Sequence, residues 1–167
     1  MIVISGSMGA GKTTVLGEAS DLLVAAAIAH AAIDLDGVAA AGLSDEAATD
    51  LVYRNLRSLY ANVVDAGLTR VLLAEAVESR GELDRIRDAA PAADVVVCRL
   101  IAPVATLQQR LRTREPGMLQ DSFVARAADL DRVLERAGVE DFTVVNDARS
   151  VTDVARELLQ HAGWLDR

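Results

Sequence analysis

Apolar residues recur along this chain in two alternating rhythms. Short unbroken runs cover Met1–Ser5, Ala31–Asp34, Arg70–Glu75, Asp94–Ile101 and Phe142–Asn146. Runs of this length, without a polar face, are the pattern of strands buried on both sides. Between them the apolar positions return every three or four residues. After Lys12 they fall at 15, 16, 19, 22, 23 and 26, which predicts a helix. The same spacing predicts helices over 45–66, stopped by Gly67, and over 81–90, closed by Pro91. Pro103 opens a helix to about Arg114, because proline fits the first helical turn, and Glu115-Pro116-Gly117 breaks it. Asp121-Ser122 is expected to cap a helix running to Gly138, and a last helix spans 151–161.

Strands alternating with helices imply a parallel α/β sheet covered on both faces. No linker, repeat or low-complexity segment interrupts the pattern, so residues 1–167 are read as one domain. All strands of a parallel sheet deliver their last residues to one edge, where ligands bind in such folds. The residues arriving there are the loop after strand one, Asp34-Leu35-Asp36 after strand two, Glu75 and Glu78 after strand three, and Asn146 and Asp147 after strand five.

The first of these loops carries the most specific chemistry. Gly6-Ser7-Met8-Gly9-Ala10-Gly11-Lys12-Thr13 is a complete G-x-x-x-x-G-K-[ST] sequence between a predicted strand and a predicted helix. Its glycines permit backbone angles that turn successive N–H groups, through Ala10 to Thr13 and Thr14, into one concavity for a phosphate. The helix adds its positive N-terminal end. Lys12 is expected between the β- and γ-phosphates, and the Thr13 hydroxyl on Mg²⁺. Lys12 is the only lysine, beside sixteen arginines. A compact ammonium fits inside a curled loop where a planar guanidinium does not. Met8 stands where a dinucleotide fingerprint starting at Gly6 needs glycine.

Composition removes several alternatives. A net charge of −8 argues against nonspecific nucleic-acid binding and a 5′-kinase of nucleic acids. One cysteine permits no internal disulfide, and with two separated histidines it makes no zinc site. The apolar stretch 22–33 is too short to cross a membrane, and the chain starts on its first strand without a signal-like segment, so a cytoplasmic protein is expected. A guanine-reading Asn-Lys-x-Asp sequence cannot occur without a second lysine.

Around the loop, Asp34 and Asp36 would point the same way if the chain were extended, one orienting Mg²⁺ and the other taking a proton from an attacking hydroxyl. Their alternative is an acidic turn leading into Gly37. Glu75 is a candidate for Mg²⁺ or substrate, although aspartate is more usual there. Arg110 and Arg114, four apart, share a helix face and suit adenine stacking and phosphoryl-charge stabilisation. Arg54 and Arg57 read as a solvated face, with a hold on an anionic acceptor as the alternative, and Asp45-Glu46 as compensation of the helix dipole.

On the loop Gly6–Thr13, the pair Asp34/Asp36 and the Arg110/Arg114 segment, the chain resembles the small P-loop kinases, which include nucleoside monophosphate, shikimate, gluconate and adenylylsulfate kinases and chloramphenicol phosphotransferase. The resemblance implies a five-stranded sheet in order 2-3-1-4-5, Mg-ATP as phosphoryl donor, a small-molecule acceptor and a lid at about 111–122. It further implies Arg110 on the adenine, Arg114 on the phosphates, 146–150 bordering the base, and Asp36 or Asp34 near the acceptor hydroxyl. Asp34-Leu35-Asp36-Gly37 departs from the aspartate-glycine-aspartate-asparagine of adenylylsulfate kinases, and Glu75-Ala76-Val77-Glu78 from the glycine pair of shikimate kinases. A regulatory ATPase module without an acceptor is the second reading.

Overall fold

The computed structural model describes residues 1–38, 45–114, 117–118 and 120–166, with the Asp45 side chain left aside. In chain order the elements are β1 (Ile2–Gly6), α1 (Lys12–Ala25), β2 (Ala31–Asp34), a 3-10 turn (Leu35–Gly37), α2 (Asp45–Asp65), β3 (Val71–Ala74), α3 (Arg80–Ala89), β4 (Val96–Ile101), α4 (Val104–Arg114), α5 (Gln120–Ala137), β5 (Phe142–Val145) and α6 (Val151–His161). The five strands form one parallel sheet in the order β2-β3-β1-β4-β5. This is the expected α/β architecture and strand order.

The unbroken apolar runs follow from burial on both faces. In β1, Ile2 and Ile4 enter a core shared with α1, α4, α5 and α6, while Val3, with Met1 just before the strand, enters a second core with α2 and α3. β3 divides in the same way, Leu72 and Ala74 to the first core and Val71 and Leu73 to the second. Successive side chains of a strand alternate faces, so a strand covered on both sides has no polar position to spare. Leu107 and Leu111 of α4, Val124 and Ala127 of α5, and Val154, Leu158 and Leu159 of α6 complete the first core; Leu56, Leu83 and Ile86 are buried in the second. Cys98 lies in the first core, where burial pushes its thiol pKa up and leaves it an inert small hydrophobe.

Among the described residues, one charged residue is buried within the sheet. Arg99 of β4 is buried and pairs with Asp131 at 3.0 Å and Glu140 at 3.3 Å. These bonds tie α5 to the strand, and α5 in turn touches the site. Helix α5 starts at Gln120, so Asp121 lies in its first turn rather than capping it. There its carboxylate still meets the positive end of the helix dipole. Among the described residues no helix is long and apolar enough to cross a membrane.

Candidate active site

The loop between β1 and α1 is held in a shape that few sequences can adopt. Gly9 and Gly11 have φ of 80° and 95°, in the left-handed region. A Cβ on Gly9 would stand 2.6 Å from the Leu107 carbonyl oxygen, and one on Gly11 2.6 Å from Asn146 Nδ2. Both the angle and the space therefore demand glycine. The start of α1 is equally distinctive. Gly11 supplies no side-chain cap, and no acidic residue lies in the first turn. Helices α3 and α6 differ: Ser79 and Ser150 accept N–H bonds there, and Glu82 and Asp153 add negative charge. The first N–H groups of α1, around Thr13 and Thr14, are thus left for an external anion.

Lys12 curls back over this loop, its Nζ donating to the Gly6 carbonyl at 3.1 Å. Burial lowers its pKa, opposed by Asp36, Glu75 and Asp34, while Arg114 pushes the same way as burial. Asp34, Asp36, Glu75 and Arg114 all lie near enough to act on the Lys12 charge.

Two side chains strap the loop from behind. Arg110 donates to the carbonyl of Gly9 at 3.2 Å and to that of Asn146 at 3.0 Å. Asn146, buried at the end of β5, donates through Nδ2 to the Ala10 carbonyl at 2.8 Å. On the far side the Ser7 hydroxyl donates to the Ala127 carbonyl of α5 at 2.7 Å. Arg110, expected to stack on adenine, is seen here as a strap on the loop. Arg110 and Arg114 do share a face: with Gly9, Gly11, Thr14 and Thr113 they line a cavity of about 520 Å³ beside the loop.

The acidic side takes the turn that was the alternative to an extended pair. The chain is not extended through Asp34-Leu35-Asp36. It turns into a 3-10 helix at Leu35, and Asp34 Oδ1 accepts the Asp36 N–H at 3.2 Å as its cap. Aspartate readily bonds its own backbone two residues on, and Leu35 gains complete burial by turning inward. The two carboxylates therefore have unlike environments: Asp34 caps the turn, and Asp36 is exposed at the mouth of the cleft.

Glu75 follows β3 and is fixed by its neighbours. Its N–H donates to Ile4 at 3.2 Å, its Oε1 accepts the Ala76 N–H at 2.9 Å, and Val77 N–H bonds the buried Ser5 hydroxyl at 3.1 Å. Burial first, then the charge of Asp36, raises the Glu75 pKa to about 7; the Ala76 N–H and Lys12 oppose the rise. Asp36, Glu75, Glu78, Glu82, Val52 and Tyr53 are among the residues lining a cavity of about 280 Å³. Among the described residues no three acids or other ligating groups converge tightly enough to form a metal cluster. Any Mg²⁺ at Thr13, Asp36 and Glu75 would thus depend on nucleotide oxygens and water for much of its shell.

Tyr53 and Glu82 escaped sequence reading. Neither stood out in the sequence; only the packing of α2 against α3 brings them to the cleft. Arg54 and Arg57 line a separate cavity with Asp50, Arg85 and Asp88, and Arg57 donates to the Asp88 carbonyl at 3.0 Å. They do not reach the phosphate loop's cavity, in keeping with a solvated face. Asp147 accepts the Thr106 hydroxyl at 3.0 Å. Glu115 and Pro116, part of the expected lid, lie outside the described residues.

Solved structures similar to this chain are small P-loop kinases and their structural kin. Adenylylsulfate (APS) kinase from Mycobacterium tuberculosis, in complex with AMPPNP and APS, is 21% identical with a TM-score of 0.66, over 97% of this chain and 96% of that one. Shikimate kinase from Acinetobacter baumannii, in complex with shikimate, is 20% identical with a TM-score of 0.62, over 96% and 91%. The tunicamycin resistance protein of Deinococcus radiodurans is 16% identical with a TM-score of 0.70, over 98% and 96%. At such identities the likeness establishes the fold, that of the small P-loop kinases. No protein-family profile matches the sequence. No curated protein matches it either.

Proposed function

We propose that this chain is an ATP-dependent small-molecule kinase that moves the γ-phosphoryl group of Mg-ATP to a hydroxyl or phosphate acceptor. The observation that carries the reading is the pairing, in one cleft, of an uncapped glycine loop around Lys12 with a carboxylate-lined cavity next to it. Neither half alone requires phosphoryl transfer. Together they offer a cradle for the donor and a base beside a place for the acceptor.

In this reading the N–H groups of Gly9, Ala10, Gly11, Lys12, Thr13 and Thr14 hold the phosphates. Mg²⁺, held through Thr13 with Asp36 and Glu75 near it, would supply charge neutralisation between the phosphates. Lys12 and Arg114 stabilise charge on the oxygens of the moving group. Asp36, the exposed member of the aspartate pair, accepts the acceptor's proton, while Asp34 positions it through the turn. Arg110 and Asn146 keep the loop in its binding shape and border the nucleotide. Residues about 111–122 act as a lid whose closure excludes water. The cytoplasm, where ATP is abundant, is the compartment that suits this chemistry.

Calorimetric titration with Mg-ATP tests the donor half. The wild type is expected to bind in the micromolar range or tighter, and Lys12→Ala to lose most of that affinity while remaining folded. Equal affinity in the two proteins would remove the basis of the proposal.

A further inference from the structure

The cavity next to the phosphate loop has a sign. Its ionisable lining consists of Asp36, Glu75, Glu78 and Glu82, with the Tyr53 phenol, and no lysine or arginine among them. Arg54, Arg57 and Arg85 line the neighbouring cavity, which shares Tyr53 with this one, and are not part of this lining. Arg126 of α5 pairs with Glu78 at 3.1 Å, and Arg85 of α3 pairs with Asp50 at 2.8 Å while lying 5.6 Å over the Tyr53 ring. Arg114 lines the phosphate loop's cavity, and Lys12 donates to the Gly6 carbonyl. The segment 39–44, between the 3-10 turn and α2, reads Ala-Ala-Ala-Gly-Leu-Ser and brings no charge of its own.

Resting on the kinase reading above, we propose that the acceptor is a small cation, a compound carrying both a free hydroxyl and a protonated amine. Its hydroxyl lies at Asp36, and its ammonium lies between Glu82 and the Tyr53 ring. Recognition of an anionic acceptor needs a cation with spare donors, because a bound carboxylate or phosphate must be paired. This cavity offers none, and its carboxylates repel a second negative charge. Neutral polyols meet no such repulsion but gain no charge pairing. An ammonium gains both carboxylate bonds and the face of an aromatic ring.

The alternative use of the acids is to hold metal alone. Among the described residues they do not converge on a single point, and instead surround about 280 Å³, near the lower end of ligand-pocket sizes. The step balances without another reactant. The acceptor oxygen forms a bond to the γ-phosphorus, and the bond from that phosphorus to the β–γ bridging oxygen breaks. ADP leaves with the electron pair, and the hydroxyl proton passes to Asp36 and on to water.

The test uses the whole chain with Mg-ATP and three matched acceptors: glucosamine, glucose and gluconate, extended to aminocyclitols, cyclitols and their acids. ADP release and calorimetric binding in the presence of Mg-ADP are both read. The amines are expected to bind or turn over at least tenfold better than neutral partners, with the acids poorest. Glu82→Gln, whose amide oxygen can still accept the Glu78 N–H seen in the structure, removes the charge alone. It should raise KM for the amines about tenfold and shrink their advantage over the neutral compounds. A preference for acids or neutral polyols, no binding of any amine while Mg-ATP still binds, or an unchanged preference in Glu82→Gln would overturn the cationic acceptor and leave the kinase standing. Failure to bind Mg-ATP would overturn both.

Discussion

On the phosphate side of the cleft, a methyl group added to Gly9 would meet a backbone oxygen at 2.6 Å; on the acid side, one added to Gly37 would meet nothing within 4 Å. The first wall is strapped by Arg110, Asn146 and Ser7 and carries positive charge. The second is a short turn and a pair of helices whose carboxylates line a cavity. Triphosphates are the same in every reaction of this kind, so a wall that binds them gains from being rigid and preorganised. Acceptors differ from enzyme to enzyme, and the wall that reads them is made of parts that tolerate change. The unlike charge of the two walls also sorts the two substrates before either is bound.

The sharpest way to break this contrast is Lys12→Ala. Removing the ammonium should lower ATP-dependent transfer about 10³-fold or more, as loss of a preorganised charge partner does. Burial already disfavours the Lys12 charge, so the melting temperature should not fall. A large loss of stability would mean that the lysine is structural. Next in size is a paired substitution. Gly9→Ala must strain a φ of 80° and displace the Leu107 carbonyl, and should cost about 2–4 kcal/mol by denaturant unfolding. Gly37→Ala, with room and no left-handed φ, should stay within about 0.5 kcal/mol. Similar costs at both positions would erase the difference between the walls.

Asn146→Ala tests the strap. It leaves the Ala10 carbonyl without its 2.8 Å partner and should cost about 1–3 kcal/mol, with a weaker affinity for ATP seen by calorimetry. Full ATP affinity in this variant would show that the loop holds its shape unaided. The smallest effect is a pH dependence on the acid wall. Glu75 has a folded pKa of about 7, above its ordinary 4.5. The folded state therefore holds more protons between those values, and stability from this group is lost as pH rises from about 5 to 8. Glu75→Gln should abolish that loss and stabilise the nucleotide-free protein by about 1–2 kcal/mol at pH 8, with little change at pH 5. Equal melting shifts at the two pH values would contradict it.

How much of this was visible in the sequence follows the same division. The phosphate wall is local: Gly6 to Thr13 is one continuous stretch, and β1 and α1 on either side follow from apolar spacing. Strand β2 and helix α6 begin and end where the pattern put them. The straps were only half visible, because a hydrogen bond between residues 9 and 110, or 10 and 146, leaves no spacing signal. The acid wall joins residues 36, 53, 75 and 82 from separate elements, and no period links them. The sequence left the aspartate pair open, since two aspartates two apart satisfy both an extended strand and an Asx turn. Burial of Leu35 decides between them, and burial belongs to the assembled sheet.

The measurement closest to the central claim is ADP release from Mg-ATP, followed with and without hydroxyl compounds of each charge class in the wild type and in Asp36→Asn. The account predicts a low basal rate, a large stimulation by at least one acceptor, and loss of that stimulation in Asp36→Asn with ATP binding retained. Tight ATP binding with a uniform slow hydrolysis that no acceptor changes would contradict it, and would make the chain a nucleotide-binding switch instead of a kinase.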